Sequence, residues 1–127
     1  MRRQKLLLPA LLVGMVALVQ SCVVATVGAG AGSAVYVMGK LKAYEAHDLS
    51  TVYAATEKAM GQLELNVTRK TKDAMSATIV ARDSADKKIT IKLSATPEKT
   101  TKISIRVGTF GNETKSRLIY EQIKKNL

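Results

Sequence analysis

The chain has 127 residues, 46% of them apolar, with a formal charge of +10, one histidine, one cysteine and no tryptophan, which is one small domain's worth of sequence. A lone cysteine excludes an internal disulfide framework and any multi-cysteine zinc site. Four Tyr and one Phe leave the core to be built from Ile, Leu, Val, Met and Ala.

Arg2, Arg3 and Lys5 open the chain, Leu6 to Val19 follows without a charge, and Gln20-Ser21-Cys22 closes the run. A cationic start, a short apolar stretch and a small residue at the cut describe a secretory signal. The basic residues hold that end on the cytoplasmic side. The stretch falls short of the roughly 20 apolar residues of a comfortable span, and Pro9 weakens it as a permanent helix. Residues 1–21 are therefore expected to be a signal peptide of lipoprotein type. Leu18-Val19-Gln20-Ser21-Cys22 resembles the bacterial lipobox. That resemblance implies that Cys22 becomes the first mature residue, with a diacylglycerol on its sulfur and a third acyl chain on its amine. Two chains already suffice for stable anchoring. The competing readings are a buried core cysteine and an uncleaved span from Leu6 to Met38. Removing the signal takes away three cations and lowers the formal charge from +10 to +7.

Residues 22–38 read as the lipidated Cys and a Gly/Ala-rich tether, flexible because glycine costs entropy to order. Gly28 and Gly32 make a GxxxG, so the alternative is a membrane-inserted or self-associating segment. Neither phosphate motif survives inspection. Gly39-Lys40 is followed by Leu41 where a P-loop needs Ser or Thr. Gly28, Gly30 and Gly32 lack the dinucleotide spacing.

Residues 39–127 are expected to form one α+β domain. Lys40 to Glu45 reads as a strand with Leu41 and Ala43 on one side and Lys40, Lys42 and Tyr44 on the other. Asp48 is placed to cap a helix whose Leu49, Val52, Tyr53, Thr56, Ala59, Met60 and Leu63 form the buried stripe. Four alternating strands follow, built on Leu63-Leu65-Val67, Met75-Ala77-Ile79-Ala81, Ile89-Ile91-Leu93 and Ile103-Ile105-Val107. Their short polar connections predict an antiparallel meander. Asn112 is placed to cap a last helix with Leu118, Ile119, Ile123 and Leu127 inward. The order β-α-β-β-β-β-α, with one apolar sheet face, predicts an antiparallel sheet with both helices on that face, in the manner of a helix-grip domain.

Cys22, the glycine-rich stretch, Tyr36-Val37-Met38-Gly39-Lys40-Leu41-Lys42, Val52-Tyr53-Ala54-Ala55-Thr56, Ile103-Ser104-Ile105-Arg106-Val107-Gly108-Thr109-Phe110-Gly111 and Ile123-Lys124-Lys125-Asn126-Leu127 resemble an uncharacterised family of small bacterial lipoproteins (the domain of unknown function 3568 type). The resemblance covers nearly the whole mature chain. It implies an envelope location and a shape, and brings no catalytic residues with it.

Chemistry-bearing residues are sparse. His47 stands beside a helix start without a motif-marked nucleophile. The acid pair Asp83 and Asp86 flanks a turn, where Asp is favoured for local hydrogen bonds. The glycosylation-type triplets at Asn66 and Asn112 read as chance. No catalytic residue, metal ligand or cofactor site is expected. Two candidates for binding remain. Gly108, Thr109, Phe110 and Gly111 form a loop that either shows Phe110 to a partner or turns a corner with Phe110 plugging the core; the second reading is favoured. By alternation Lys70, Arg82, Lys88, Lys92, Lys102 and Arg106 share the wet sheet face, with Glu64 as its one clear acid. That face either stays solvated or meets an anionic envelope component: headgroups, acidic polysaccharide or an acidic protein. Nucleic acid is not expected, since the address is outside the cytoplasm and the strands lack the aromatics on which a sheet stacks bases.

The sequence thus reads as a non-enzymatic envelope lipoprotein facing the periplasm, an interaction module held to the membrane through lipid on Cys22. Val23, not Asp, follows the lipidated position, which by the sorting rule of this class favours the outer membrane. The alternative is a carrier that holds a lipid or other apolar ligand between helices and sheet, where Ala43, Ala59, Ala77 and Ala81 would leave room.

Overall fold

The computed structural model describes residues 34–127. The expected signal peptide, Cys22 and the Gly28/Gly32 pair lie outside them. Six strands and two helices follow in the order β1 (Val35–Val37), β2 (Lys40–Glu45), α1 (Leu49–Gln62), β3 (Asn66–Lys72), β4 (Ser76–Arg82), β5 (Lys88–Ala95), β6 (Thr101–Val107) and α2 (Glu113–Lys125). The sheet is antiparallel throughout, in the order β1-β2-β6-β5-β4-β3. The α+β fold predicted from the sequence is therefore present, with one strand more. The sheet takes in Val35–Val37, which the sequence reading leaves in the tether. A two-residue turn at Met38-Gly39 makes this hairpin, and both residues have positive φ (53° and 79°) as such a turn requires.

Alternation places the core. Leu41, Ala43, Ile79, Ala81, Ile91, Leu93, Ile103 and Ile105 project from the strands to one face and are buried. Val52, Ala55, Ala59 and Met60 of α1 and Ile119, Tyr120 and Ile123 of α2 meet them. Each large apolar side chain buried in this way contributes about 1.5–3 kcal/mol. The four alanines proposed as room for a ligand are buried within this packing.

Both helices start as the sequence predicts. Asp48 Oδ1 accepts from Thr51 N at 3.0 Å, and Asn112 Oδ1 accepts from Lys115 N at 3.0 Å. In α2, Glu113 in the first turn and Lys124 and Lys125 in the last match the helix dipole. The end of α1 differs from the expected strand start at Leu63. Glu64 adopts φ 57°, its N–H reaches Gly61 O at 3.1 Å, and Leu65 N reaches Met60 O at 2.9 Å. This Schellman closure delays β3 to Asn66. Glu64 thus belongs to a helix end and not to the sheet face.

Leu118 was expected inward and is instead 55% exposed. The inward face of α2 centres on Ile119 and Ile123, one turn apart, flanked by Ser116 and Tyr120. Leu118 lies about 100° round the helix from Ile119, at 3.6 residues per turn. Tyr120 fills the position, and its hydroxyl donates to the buried Glu45 carboxylate. Burial and that carboxylate push the phenol well above its usual range.

Candidate functional site

The sheet face opposite the helices carries a hollow of about 1370 Å³. Its floor comes from alternate residues of three neighbouring strands: Thr78, Val80 and Arg82 of β4, Lys88, Thr90 and Lys92 of β5, and Ser104 and Arg106 of β6. Thr68 and Arg69 form one side, Lys40 the other, and residues 108–112 with Asp86 and Lys87 close one end. Seven cations line it (Lys40, Arg69, Arg82, Lys87, Lys88, Lys92 and Arg106) against one carboxylate, Asp86.

Register sets how these groups meet. Lys92 lies between Thr78 of β4 and Ser104 of β6, with a hydroxyl-bearing residue on each side. Thr90 separates Arg106 from Val80 in the same way. Lys88 stands directly opposite Arg82. Arg82 is drawn instead to Asp86, donating to its carbonyl at 2.9 Å and approaching its carboxylate at 3.7 Å. Arg106 donates from Nη2 to Met38 O at 3.3 Å, while its Nε is shielded from solvent without a hydrogen-bond partner. Cations interleaved with neutral hydroxyl donors are suited to the oxygens of phosphate, sulfate or carboxylate.

Of the six cations assigned to this face, Arg82, Lys88, Lys92 and Arg106 line the hollow. Lys102 shares the face by alternation but lies beyond the hollow, beside Tyr44 and Ser94. Lys70 does not belong there. The β3–β4 register slips between Val67 and Arg69, which puts Lys70 opposite the core residue Ile79. Lys70 therefore faces α1, where Nζ bonds Glu57 Oε2 at 3.1 Å, and that bond raises the lysine above its ordinary value. Lys72 follows it, 5.1 Å from the Tyr53 ring centroid. Arg69 takes the vacated place. Lys40 and Lys87 also join the site; alternation in β2 had already set Lys40 on the wet side.

The loop 108–111 departs from the favoured expectation. Phe110 is 92% exposed and plugs nothing. Gly108 (φ 72°) bonds Lys88 O through its N–H at 2.8 Å, and Gly111 (φ 85°) presses onto the β1–β2 hairpin. A Cβ on Gly111 would lie 2.5 Å from Tyr36 Oη and 2.6 Å from Gly39 Cα. With Gly111 jammed there, the chain turns Phe110 outward.

Asp83 behaves as a turn residue. Its Oδ1 accepts from Ala85 N and Lys87 N at 2.9 Å each, and its Oδ2 accepts from Lys115 Nζ. The Lys115 bond, helped by Lys87 N–H, holds the carboxyl below its ordinary value. His47 is exposed at the opposite end of the sheet, its carbonyl accepting from Thr101 Oγ1 at 2.8 Å. Among the described residues no three His, Cys, Asp or Glu gather into a cluster, and no helix is long and apolar enough to cross a membrane.

No curated protein matches the chain in sequence. A family profile described as protein of unknown function (DUF3568) matches residues 5–126. The match spans nearly the full length, and the chain belongs to the DUF3568 family.

Proposed function

We propose that this protein is a non-enzymatic lipoprotein of the bacterial envelope, anchored through Cys22, whose open sheet face binds an anionic envelope component. The observation that carries the binding role is the hollow with seven cations and one carboxylate. Like charges on one face destabilise a sheet unless something compensates them. An anionic ligand would do so. The anchoring role rests on the order of charge, apolar run, Ser21 and Cys22, and Val23 favours the outer membrane. The alanines that would make room for a carried lipid are instead packed in the core, so the interaction reading is preferred to the carrier.

Two measurements test the two parts. Labelled palmitate should attach to the parent chain and not to C22A, and C22A should leave the membrane fraction; identical labelling or fractionation would overturn the anchor. For the face, heparin serves as a probe polyanion for the full chain in detergent. K92E should elute from it at clearly lower salt than the parent, whereas K58E, on the exposed side of α1, should lose much less. Equal loss from both would reduce the binding to net charge and refute a localised site.

A further inference from the structure

We propose that the end of the sheet bearing Met38 and Phe110 docks onto an anionic lipid bilayer, its two apolar tips entering the interfacial layer while Lys40, Lys88 and Arg106 meet the headgroups. The inference rests on the reading of Cys22 as lipidated and adds a second, non-covalent contact with the same membrane. Met38 is 88% and Phe110 92% exposed. They sit on two turns in contact with each other, since a Cβ on Gly39 would lie 2.9 Å from Phe110 O. Neither is a stray surface residue on a mobile tip. Arg106 ties the Met38 carbonyl, and Gly111 is wedged against the hairpin.

The turn itself argues for the side chain. Met38 occupies a left-handed position (φ 53°) that Asn, Asp or Gly fills with less strain. A methionine there is costly to the backbone and exposed to water, so burial among the described residues does not account for it. Cations adjoin this end: Lys40, Lys88 and Arg106 line the same hollow as Phe110, and Arg106 Nη2 lies 3.1 Å from the Gly39 Cβ position. A soluble polysaccharide or an acidic protein surface would answer the cations and leave both apolar tips in water. A bilayer surface presents an anionic layer directly over an apolar one, which is the order in which this end offers its groups.

The chain contains no tryptophan, so a single Phe110→Trp substitution reports the tip alone, with Tyr44→Trp, at the other end of β2 and 56% exposed, as its control. The full-length variants are reconstituted in vesicles containing brominated phospholipid, either pure phosphatidylcholine or with added phosphatidylglycerol. F110W is expected to be quenched several-fold more than Y44W in the anionic vesicles, and K40E with K88E should return it to the phosphatidylcholine level. Docking is refuted if F110W is quenched no more than Y44W, or equally in both lipids. The intact mass of the same samples reads the acyl chains on Cys22 separately. An unacylated chain defeats the anchoring reading, whereas an acylated chain with unquenched F110W defeats the docking alone.

Discussion

At Gly111 an added methyl group has nowhere to go. Its neighbours are the Gly39 backbone and the Tyr36 hydroxyl, and φ is +85°. Gly61 is the opposite case, with no atom within 4 Å of the same added carbon and ordinary helical surroundings in α1. Gly111→Ala should therefore destabilise by about 2–3 kcal/mol through strain and lost docking of the loop. Gly61→Ala should stabilise by about 0.5–1 kcal/mol through reduced unfolded-state entropy. Urea unfolding of the two variants decides both, and similar effects from both would mean that the loop does not rest on the hairpin. Carboxylates give the second residue-scale prediction. Hydrogen bonds hold each of three carboxyls below its ordinary value of 3.8: from the Thr51 side chain and N–H at Asp48, from the Met75 and Ser76 N–H groups at Asp73, and from Lys115 and the Lys87 N–H at Asp83. A depressed native value means that the fold favours the ionised form. Their contribution is complete above the unfolded value and is lost as pH falls through the native one. Stability should hold between pH 7 and about pH 5 and fall below about pH 4. Asp83→Asn should lower stability at pH 7 and make that acid decline shallower; an unchanged slope would dismiss Asp83 as a contributor.

The slip in β3 is an element-scale event with a functional consequence. Because the register moves between Val67 and Arg69, adjacent cations part company: Arg69 joins the hollow and Lys70 turns to Glu57 on α1. Arg69→Glu should weaken heparin binding by the full chain, while Lys70→Glu should leave it near the parent level. Equal losses would place both on one face and contradict the bulge. Strict alternation with apolar residues every second position made β2, β4, β5 and β6 legible, because Leu41, Ile79, Ile91 and Ile105 each fix a face. In Asn66–Lys72 only Val67 is apolar, so nothing after it marks which side is inward, and simple alternation runs straight through the slip. The β1 strand was hidden for a related reason. Three residues against a glycine-rich stretch give no period, and Met-Gly is an unusual pair for a tight hairpin turn. The orientation of Phe110 depends on contact between two turns far apart in sequence, which spacing cannot express. Four of the hollow's seven cations were assigned from sequence, because those four lie on strands whose faces are fixed by isoleucine and leucine.

For the whole molecule, binding and stability should oppose each other. The chain after the expected cleavage carries a formal charge of +7, and much of it is concentrated on one open face. Lys88 directly faces Arg82 across β4 and β5, an arrangement of like charges that costs stability. Proteins at the threshold of stability retain such costs where function uses them. Lys88→Glu turns the pair into opposite charges and should stabilise the fold by about 0.5 kcal/mol at low salt. The gain should shrink as ionic strength rises and the Debye length falls from about 30 Å at 0.01 M to about 8 Å at 0.15 M. The same substitution removes a cation from the hollow and should lower the salt at which the chain leaves heparin. Urea unfolding at the two ionic strengths, set beside the heparin profile, measures both sides. A variant that is more stable and binds less well supports a face whose charges are kept for a ligand. A less stable variant would show that Lys88 serves the fold, and one that binds as well as the parent would show that the hollow is not where the anion sits.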